Sequence, residues 1–317
     1  MIVSSDVNQA VKELVNGKVI AIPTETVYGL AANIFDEKAI RNIFELKERP
    51  LTNPLIVHVG DVSQVNSLIK GTLPKELELL ANSFWPGPLT LLLNKNDNVP
   101  NLITANSDKV AIRIPNHTLL LELLKSIDFP LAAPSANPYK RISSTEVSHV
   151  SKYFESKLGF ALDGGKCDVG IESTIIGVED GDVVIYRKGG VSKDQLEAVL
   201  KTEVRYKKVE NEKQLPGSAI KHYAPSKELI ITDNLNKTVL ANHSKSIGLI
   251  QFSDDLLFEE VQFKFSFRED LEDASRNLFN YLHFLEQQDI DLIICEKFPD
   301  KGIGVALNDR ILRASSK

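Results

Sequence analysis

The sequence predicts an α/β protein of two domains, a mixed sheet with helices on its faces followed by a smaller parallel unit. Three observations carry that prediction. The chain has 317 residues, more than one small core holds, and 43% of them are hydrophobic, ordinary for a folded protein. Short apolar runs such as KVIAI alternate with stretches of helical spacing such as DEKAIRNIFELK. Strands outnumber long helices up to residue 205, whereas strand and helix alternate regularly after residue 227.

Residues 6–16 read as a helix: Ser5 or Asp6 caps it, Ala10, Val11, Leu14 and Val15 form one stripe, and Gly17 ends it. KVIAI (18–22) is a short buried strand, broken by PTETVYGLAA (23–32), which returns to extended structure. A second helix is expected over 36–48, with Ala39, Ile40, Ile43, Phe44 and Leu46 inward. Pro50 stops it, because the residue before a proline is pushed out of the helical region. PLIVHV (54–59), PLTLLLN (88–94), KVAIRIP (109–115) and PLAAPSAN (130–137) read as strands. GIESTIIGV (170–178) and DVVIYRKGG (182–190) read as a hairpin turning at Asp180-Gly181.

A helix over 192–200 closes a first domain, 1–205. Residues 206–226 are polar, interrupted by prolines and too long for an ordinary loop, so they form an interdomain linker. The second domain, 227–317, has expected strands at 227–233, 246–252 and 291–298 and helices at 236–243, 269–288 and 304–314. That alternation implies parallel βαβ units, a Rossmann-like arrangement.

Composition excludes several classes. A net charge of −6 argues against a general nucleic-acid coat, because bulk affinity for phosphate needs basic surface. Cys167 and Cys295 are too few and too far apart for a disulfide framework or metal cluster. The start MIVSSDVNQAVKEL lacks a basic segment followed by an apolar one, and no apolar run approaches the ~20 residues that span a bilayer, so a cytoplasmic location is expected.

No GxxxxGK[ST] loop, clean GxGxxG, Ser/His/Asp order or metal-ligand spacing is present. A nucleotide would have to be held by scattered cations and backbone amides. The candidates are KER (47–49), IR (112–113), PSAN (134–137), EST (172–174) and YR (186–187). Each has a plain alternative. Lys47 near a helix C-terminus is favoured by the dipole without any ligand. Arg113 between two isoleucines and Arg187 at a strand end could face water, Ser135 and Asn137 are common turn residues, and His58 between two valines could be structural. Together, however, cations and small hydroxyls recur where strands end, which is where open α/β sheets place ligands.

The runs IPTETVYGLAANIFDEKAIRNIFELKERP, NPLIVHV, FWPGPLTLLL, VAIRIPNH, APSAN, CDVGIESTII and YRKGG follow one another in the order of YrdC-like proteins. KHYAP (221–225) and the terminal GIGVALNDRILRAS resemble the two-domain form of that family, the L-threonylcarbamoyladenylate synthases. Two runs depart from it: Tyr139-Lys140 stands where a Ser-Gly pair is usual, and LPGSAIKHYAP where a PGMKYKHYAP-like run is usual.

The resemblance implies a twisted mixed sheet around a concave cleft, with residues 206–226 also serving as a lid. It implies synthesis of L-threonylcarbamoyl-AMP and pyrophosphate from L-threonine, bicarbonate or CO₂, and ATP, a nucleotidyl transfer that opens tRNA threonylcarbamoyladenosine modification. Residue by residue it assigns Thr26, Arg49, His58, Arg113 and Ser173 to threonine. It assigns Lys47, Arg49, Asn53, Lys109, Ala133, Ser135, Asn137, Ser143, Arg187 and Tyr223 to ATP, with Lys47 and Arg49 catalytic. The family often has a hydroxyl where Lys109 stands. Mg²⁺ would be held mainly by the ATP phosphates, with no protein ligands of its own. Downstream partners would be tRNA threonylcarbamoyl-transferring proteins, with neither stable tRNA binding nor membrane contact. Two competing readings are an RNA-binding module, and a carbamoyl-phosphate-dependent YrdC-like domain of the hydrogenase-maturation kind.

Overall fold

The computed structural model describes residues 1–207, 222–253, 258 and 261–316. The first part of the chain runs β1 (Ile2–Ser4), α1 (Val7–Val15), β2 (Ile20–Ile22), β3 (Gly29–Asn33), α2 (Glu37–Lys47), β4 (Ile56–His58), α3 (Val62–Leu68) and α4 (Lys75–Phe84). It continues through β5 (Leu89–Asn94), α5 (Asn101–Thr104), β6 (Lys109–Arg113), α6 (Thr118–Lys125), β7 (Leu131–Ala132), α7 (Val147–Phe154) and β8 (Phe160–Leu162). β9 (Thr174–Glu179), β10 (Asp182–Arg187), α8 (Lys193–Leu200) and β11 (Arg205–Tyr206) complete it. The second part contains β12 (Glu228–Thr232), α9 (Leu235–Ala241), β13 (Ile247–Gln251), β14 (Val261–Ser266), α10 (Leu271–Gln287), β15 (Leu292–Glu296) and α11 (Gly304–Ser315).

Among the described residues these strands make two sheets. The larger, in the order β1-β8-β2-β3-β7-β4-β6-β5-β9-β10-β11, mixes parallel and antiparallel pairs. The smaller, β12-β15-β13-β14, is parallel throughout. The larger sheet ends at Tyr206 and the smaller begins at Glu228; of the expected linker and lid, residues 208–221 lie outside the described residues. Strand β14, VQFKFS, is an element that the regular alternation did not announce.

Local chemistry sets the element ends that matter for the cleft. Asp6 accepts from the N–H groups of Asn8 and Gln9 to start α1, and Asp36 accepts from Ala39 to start α2. Helix α2 ends at Lys47, three residues before Pro50. Glu48 takes a left-handed φ of 54°, and the Arg49 N–H closes onto the Phe44 carbonyl at 2.9 Å. This Schellman-type closure turns Arg49 out of the helix end. The β9–β10 hairpin turns at Asp180 and Gly181, both at positive φ, as a two-residue hairpin loop needs.

One face of the large sheet buries Val57, Leu91, Ile112 and Ile176 against Ile40 and Ile43 of α2 and Leu77 and Leu80 of α4. The other face is concave. Successive inward positions on it are Ile56 and His58, Thr90 and Leu92, and Lys109, Ala111 and Arg113, since side chains alternate along a strand. Val27, Ile142, Ile171 and Tyr223 join Leu278, Phe279, Leu307 and Ile311 in one apolar cluster, so the two parts share a core across the edge of that concave face. Gly170 permits this docking. It has φ +76°, and a Cβ there would lie 2.3 Å from the Ser275 carbonyl oxygen of α10. Among the described residues no helix is long and apolar enough to cross a membrane.

Candidate active site

A cleft opens on the concave face between the turn 23–28, the end of α2 and the strap 222–225. Three arginines from three elements line it. Arg49 is held at its base by Asn53: Nη2 donates to Asn53 Oδ1 at 2.6 Å and to the Pro54 carbonyl at 2.8 Å. Arg113 ends β6, where Nη1 donates to Thr26 Oγ1 at 2.8 Å, Nε donates to the Gly87 carbonyl at 3.1 Å, and Nη2 pairs with Glu25 Oε2 at 2.6 Å. Arg187 ends β10 and donates to the Ser173 carbonyl and hydroxyl at 2.9 and 3.0 Å. Burial lowers both Arg49 and Arg187 to about 10, which leaves them charged at neutral pH.

The small groups between these cations are also fixed. Thr24 Oγ1 donates to the Val27 carbonyl at 2.7 Å, so its 2.8 Å contact with Thr26 takes the Thr26 proton. Thr26 is left as an acceptor facing Arg113. Ser173 Oγ meets Thr90 Oγ1 at 2.7 Å. His58 lies beside Arg113 in the β4–β6 register. Burial, with Arg113 close by, lowers its imidazole to about 3, so it is neutral, and its Nδ1 has no hydrogen-bond partner. His222 on the strap is alike: burial outweighs the pull of Glu172, lowers it to about 3, and leaves Nδ1 unpartnered. A buried polar atom without a partner is costly, and both of these histidines line the same cleft.

Thr26, Arg49, His58, Arg113 and Ser173 therefore share the cleft, and Ala133, Ser135, Arg187 and Tyr223 line it with them. Asn53, Asn137 and Ser143 stand behind its wall. Asn137 donates to the Pro138 and Arg141 carbonyls at 2.8 and 3.0 Å, shaping the loop that carries Ser135. Ser143 donates to Glu172 Oε1 at 2.7 Å.

Besides Asn53, Asn137 and Ser143, two more expected positions lie outside the cleft lining. Lys47 is fully buried and does not line the cleft; its ammonium donates to the Ser135 carbonyl and, at 2.5 Å, to the Asn137 carbonyl. Burial and the nearby Arg49 lower its pKa well below the ordinary lysine value. The reason is the inward aim of the last turn of α2, which puts Lys47 under the 134–137 loop. Lys109 shares the face of Arg113 but stands four residues away, about 13 Å along an extended strand, and borders a separate hollow with Lys70 and Leu92. A ligand reaches both only by lying along β6 over the apolar patch of Ile56, Ala111 and Ile175.

Glu172, His222 and Arg310 also belong to this region; they stand in the runs EST, KHYAP and GIGVALNDRILRAS, where residue type and spacing mark no individual role for them. Glu172 was visible beside Ser173 and His222 beside Tyr223, but neither has a local partner that marks it. The unusual Tyr139-Lys140 pair also gains a place. Lys140 adopts a left-handed φ of 69° and its carbonyl accepts from the Ala224 N–H at 2.9 Å, so this loop seats the strap. The Tyr139 ring meets His222 edge-on at 6.4 Å.

This fold and this site define a class of two-domain α/β proteins in which a basic cleft on a mixed sheet is covered by a parallel α/β unit. A family model described as "Telomere recombination" (Sua5, YciO, YrdC) matches residues 12–189, and one described as "Threonylcarbamoyl-AMP synthase, C-terminal domain" matches 191–316. The chain belongs to the Sua5/YrdC family, in its two-domain form. A threonylcarbamoyl-AMP synthase of Pyrococcus abyssi is 38% identical over 94% of this chain and 91% of its own length. One of Bacillus subtilis is 36% identical over 97% of this chain and 92% of its own. The crystal structure of P. abyssi Sua5 complexed with L-threonine superposes with a TM-score of 0.90 at 36% identity, covering 99% of this chain and 98% of that one.

Proposed function

We propose that this protein makes L-threonylcarbamoyl-AMP and pyrophosphate from L-threonine, CO₂ or bicarbonate, and ATP. The observation that carries the reading is the convergence of Arg49, Arg113 and Arg187 with two neutral histidines in one buried cleft. It suits two anions at once, a carboxylate and a polyphosphate. Arg113, whose planar fork matches a carboxylate, takes the amino-acid carboxylate, with Thr26, His58 and Ser173 around the remaining polar groups. Arg49 and Arg187 take the triphosphate with Ser135, and the Ala133 backbone borders the nucleotide. The adenosine end runs along β6 toward Lys109. Lys47 acts from behind, by holding the loop that presents Ser135.

The chemistry needs no protein nucleophile. Threonine's amine adds to CO₂, forming an N–C bond and releasing a proton to solvent. A carbamate oxygen then attacks the α-phosphorus of ATP, and the bond to the β-phosphate oxygen breaks as pyrophosphate leaves. The protein positions the reactants, neutralises charge and excludes water. Among the described residues no group of three or more His, Cys, Asp or Glu could hold a metal, and both oxygens of Glu172 are engaged. Mg²⁺ of this reaction would be held mainly by the ATP phosphates, where it would screen their charge. The product is a mixed anhydride suited to transfer onto tRNA adenosine by separate proteins.

The strap is read as a lid. The cleft is narrow, with about 50 Å³ of free space against the roughly 300–1,000 Å³ of ordinary ligand pockets. Tyr223, 1% exposed, forms part of its wall, so entry of a nucleotide requires the strap to move outward and return. The whole reading is tested by incubation with ATP, L-threonine and labelled bicarbonate. Labelled threonylcarbamoyl-AMP with matching pyrophosphate is expected; RNA binding without ATP turnover would point to the RNA-binding reading instead.

A further inference from the structure

Arg310 lies on α11, in the second domain, and it is the bulkiest of the fully buried side chains among the described residues. Its donors are shared among three groups. Nε donates to Glu172 Oε2 at 2.7 Å, Nη1 to Asp309 Oδ2 at 2.9 Å and Nη2 to the Lys188 carbonyl at 2.8 Å. The Tyr223 ring centre lies 5.0 Å from its guanidinium carbon, so one side chain touches both the cleft wall and the strap.

Glu172 presents a difficulty that Arg310 resolves. It is a buried carboxylate in the wall of a cleft built for anions. Uncompensated, its charge would oppose a phosphate in surroundings where water screens poorly. Its Oε1 accepts the Ser143 proton, and its Oε2 faces Arg310. The hydrogen-bonded cancelling charge comes from the far side of the wall, 138 residues away in sequence, and adds to the more distant pull of Arg187 on the same carboxylate.

We propose that Arg310 is a positioning residue for the first domain's site: it cancels the charge of Glu172 from behind and braces Tyr223, so that a polyphosphate anion can enter a cleft whose wall carries a carboxylate. This rests on the reading above that the cleft takes a triphosphate. It also gives the second domain a chemical task beyond covering the sheet.

A mere clamp between domains and a charge canceller differ in what they predict. Both lose stability when Arg310 is replaced. Only the canceller predicts that removing the charge on Glu172 restores anion binding to an Arg310 variant. The test is calorimetric binding of inorganic tripolyphosphate to the full chain near neutral pH. Arg310→Met is expected to bind about tenfold or more weakly than wild type, a difference of about 1.4 kcal/mol. Glu172→Gln is expected to bind about two- to tenfold more tightly, and the double variant to return to within about threefold of wild type. Arg310→Lys, which keeps charge without the planar fork, is expected to stay within about threefold.

Wild-type affinity in Arg310→Met, a double variant as weak as Arg310→Met, or no wild-type binding would each overturn the proposal. Should Arg310→Met fail to fold, Glu172→Gln decides alone: weaker binding than wild type by about tenfold makes Glu172 a contributor to affinity, and the proposal falls. The two readings fail separately. A wild type that binds tripolyphosphate but forms no threonylcarbamoyl-AMP loses the reaction and keeps this role for Arg310. A wild type that forms product while Arg310→Met binds tripolyphosphate normally loses this role alone.

Discussion

In the small sheet, the crevice between β13 and β15 is filled from within: Glu296 Oε2 accepts from the Phe252 N–H at 2.7 Å, the Ser253 N–H at 2.9 Å and the Ser253 hydroxyl at 2.8 Å. In the large sheet, the strand ends carry His58, Arg113 and Arg187 around an open cleft. Parallel α/β sheets commonly take ligands beyond the carboxyl ends of their strands. Here the sheet that fits that rule best uses its backbone donors on its own carboxylate, and the irregular mixed sheet gathers buried cations around its cleft. Among the described residues the second domain meets the first through α10, α11 and Arg310, while the donors beside β13 close onto Glu296.

The comparison is sharpened most by substrate choice. If Thr26, His58, Arg113 and Ser173 read a hydroxyl as well as a carboxylate, valine should be used at least about 100-fold less well than threonine, with serine affected less. Equal kcat/KM for threonine and valine would remove the pocket from the large sheet. Next come paired charge deletions. Arg49→Ala should lower kcat/KM by about 10- to 150-fold, the effect of losing about 1.5–3 kcal/mol of charged hydrogen bonding. Glu296→Ala should leave synthesis within about twofold while costing about 1–3 kcal/mol of stability, because three donors lose their acceptor. A Glu296 variant as inactive as the Arg49 variant would break the comparison.

The strap gives a smaller effect. ATP with threonine should slow amide exchange at residues 222–226, and Tyr223→Ala should lower turnover while releasing more free AMP per product retained. Unchanged exchange together with normal turnover would make the strap a plain tether.

The smallest effect is on pH. His149 of α7 and His283 of α10 stack across the domain boundary with ring centres 3.8 Å apart. Burial lowers His149 from 6.5 to about 4 and His283 to about 2. Both take up protons more readily when unfolded, so their contribution to stability is complete above about 6.5 and is lost as pH falls toward 4. The thermal midpoint should therefore drop across that window, and His283→Gln should flatten the drop. An identical pH slope in that variant would place the acid sensitivity elsewhere.

The sequence by itself determined the local frame. Asp6 and Asp36 cap the helices they precede, and Asp180-Gly181 turns the hairpin. The run from Glu45 to His58 holds an arginine at a helix end and a histidine on the next strand, both in the cleft. These depend on neighbours within a few residues, so spacing and residue type suffice. The half-exposed strand Val261–Ser266 lay in that same local signal, alternating Val, Phe and Phe with Gln, Lys and Ser. Only the tertiary structure decided that Lys47 faces the Ser135 and Asn137 carbonyls, that Lys109 borders a separate hollow with Lys70, and that Arg310 answers Glu172. Those outcomes depend on chain closure over many residues and on which buried charges meet there. The cost of an unpaired buried charge selects its partner in space, and no periodicity along the chain records that choice.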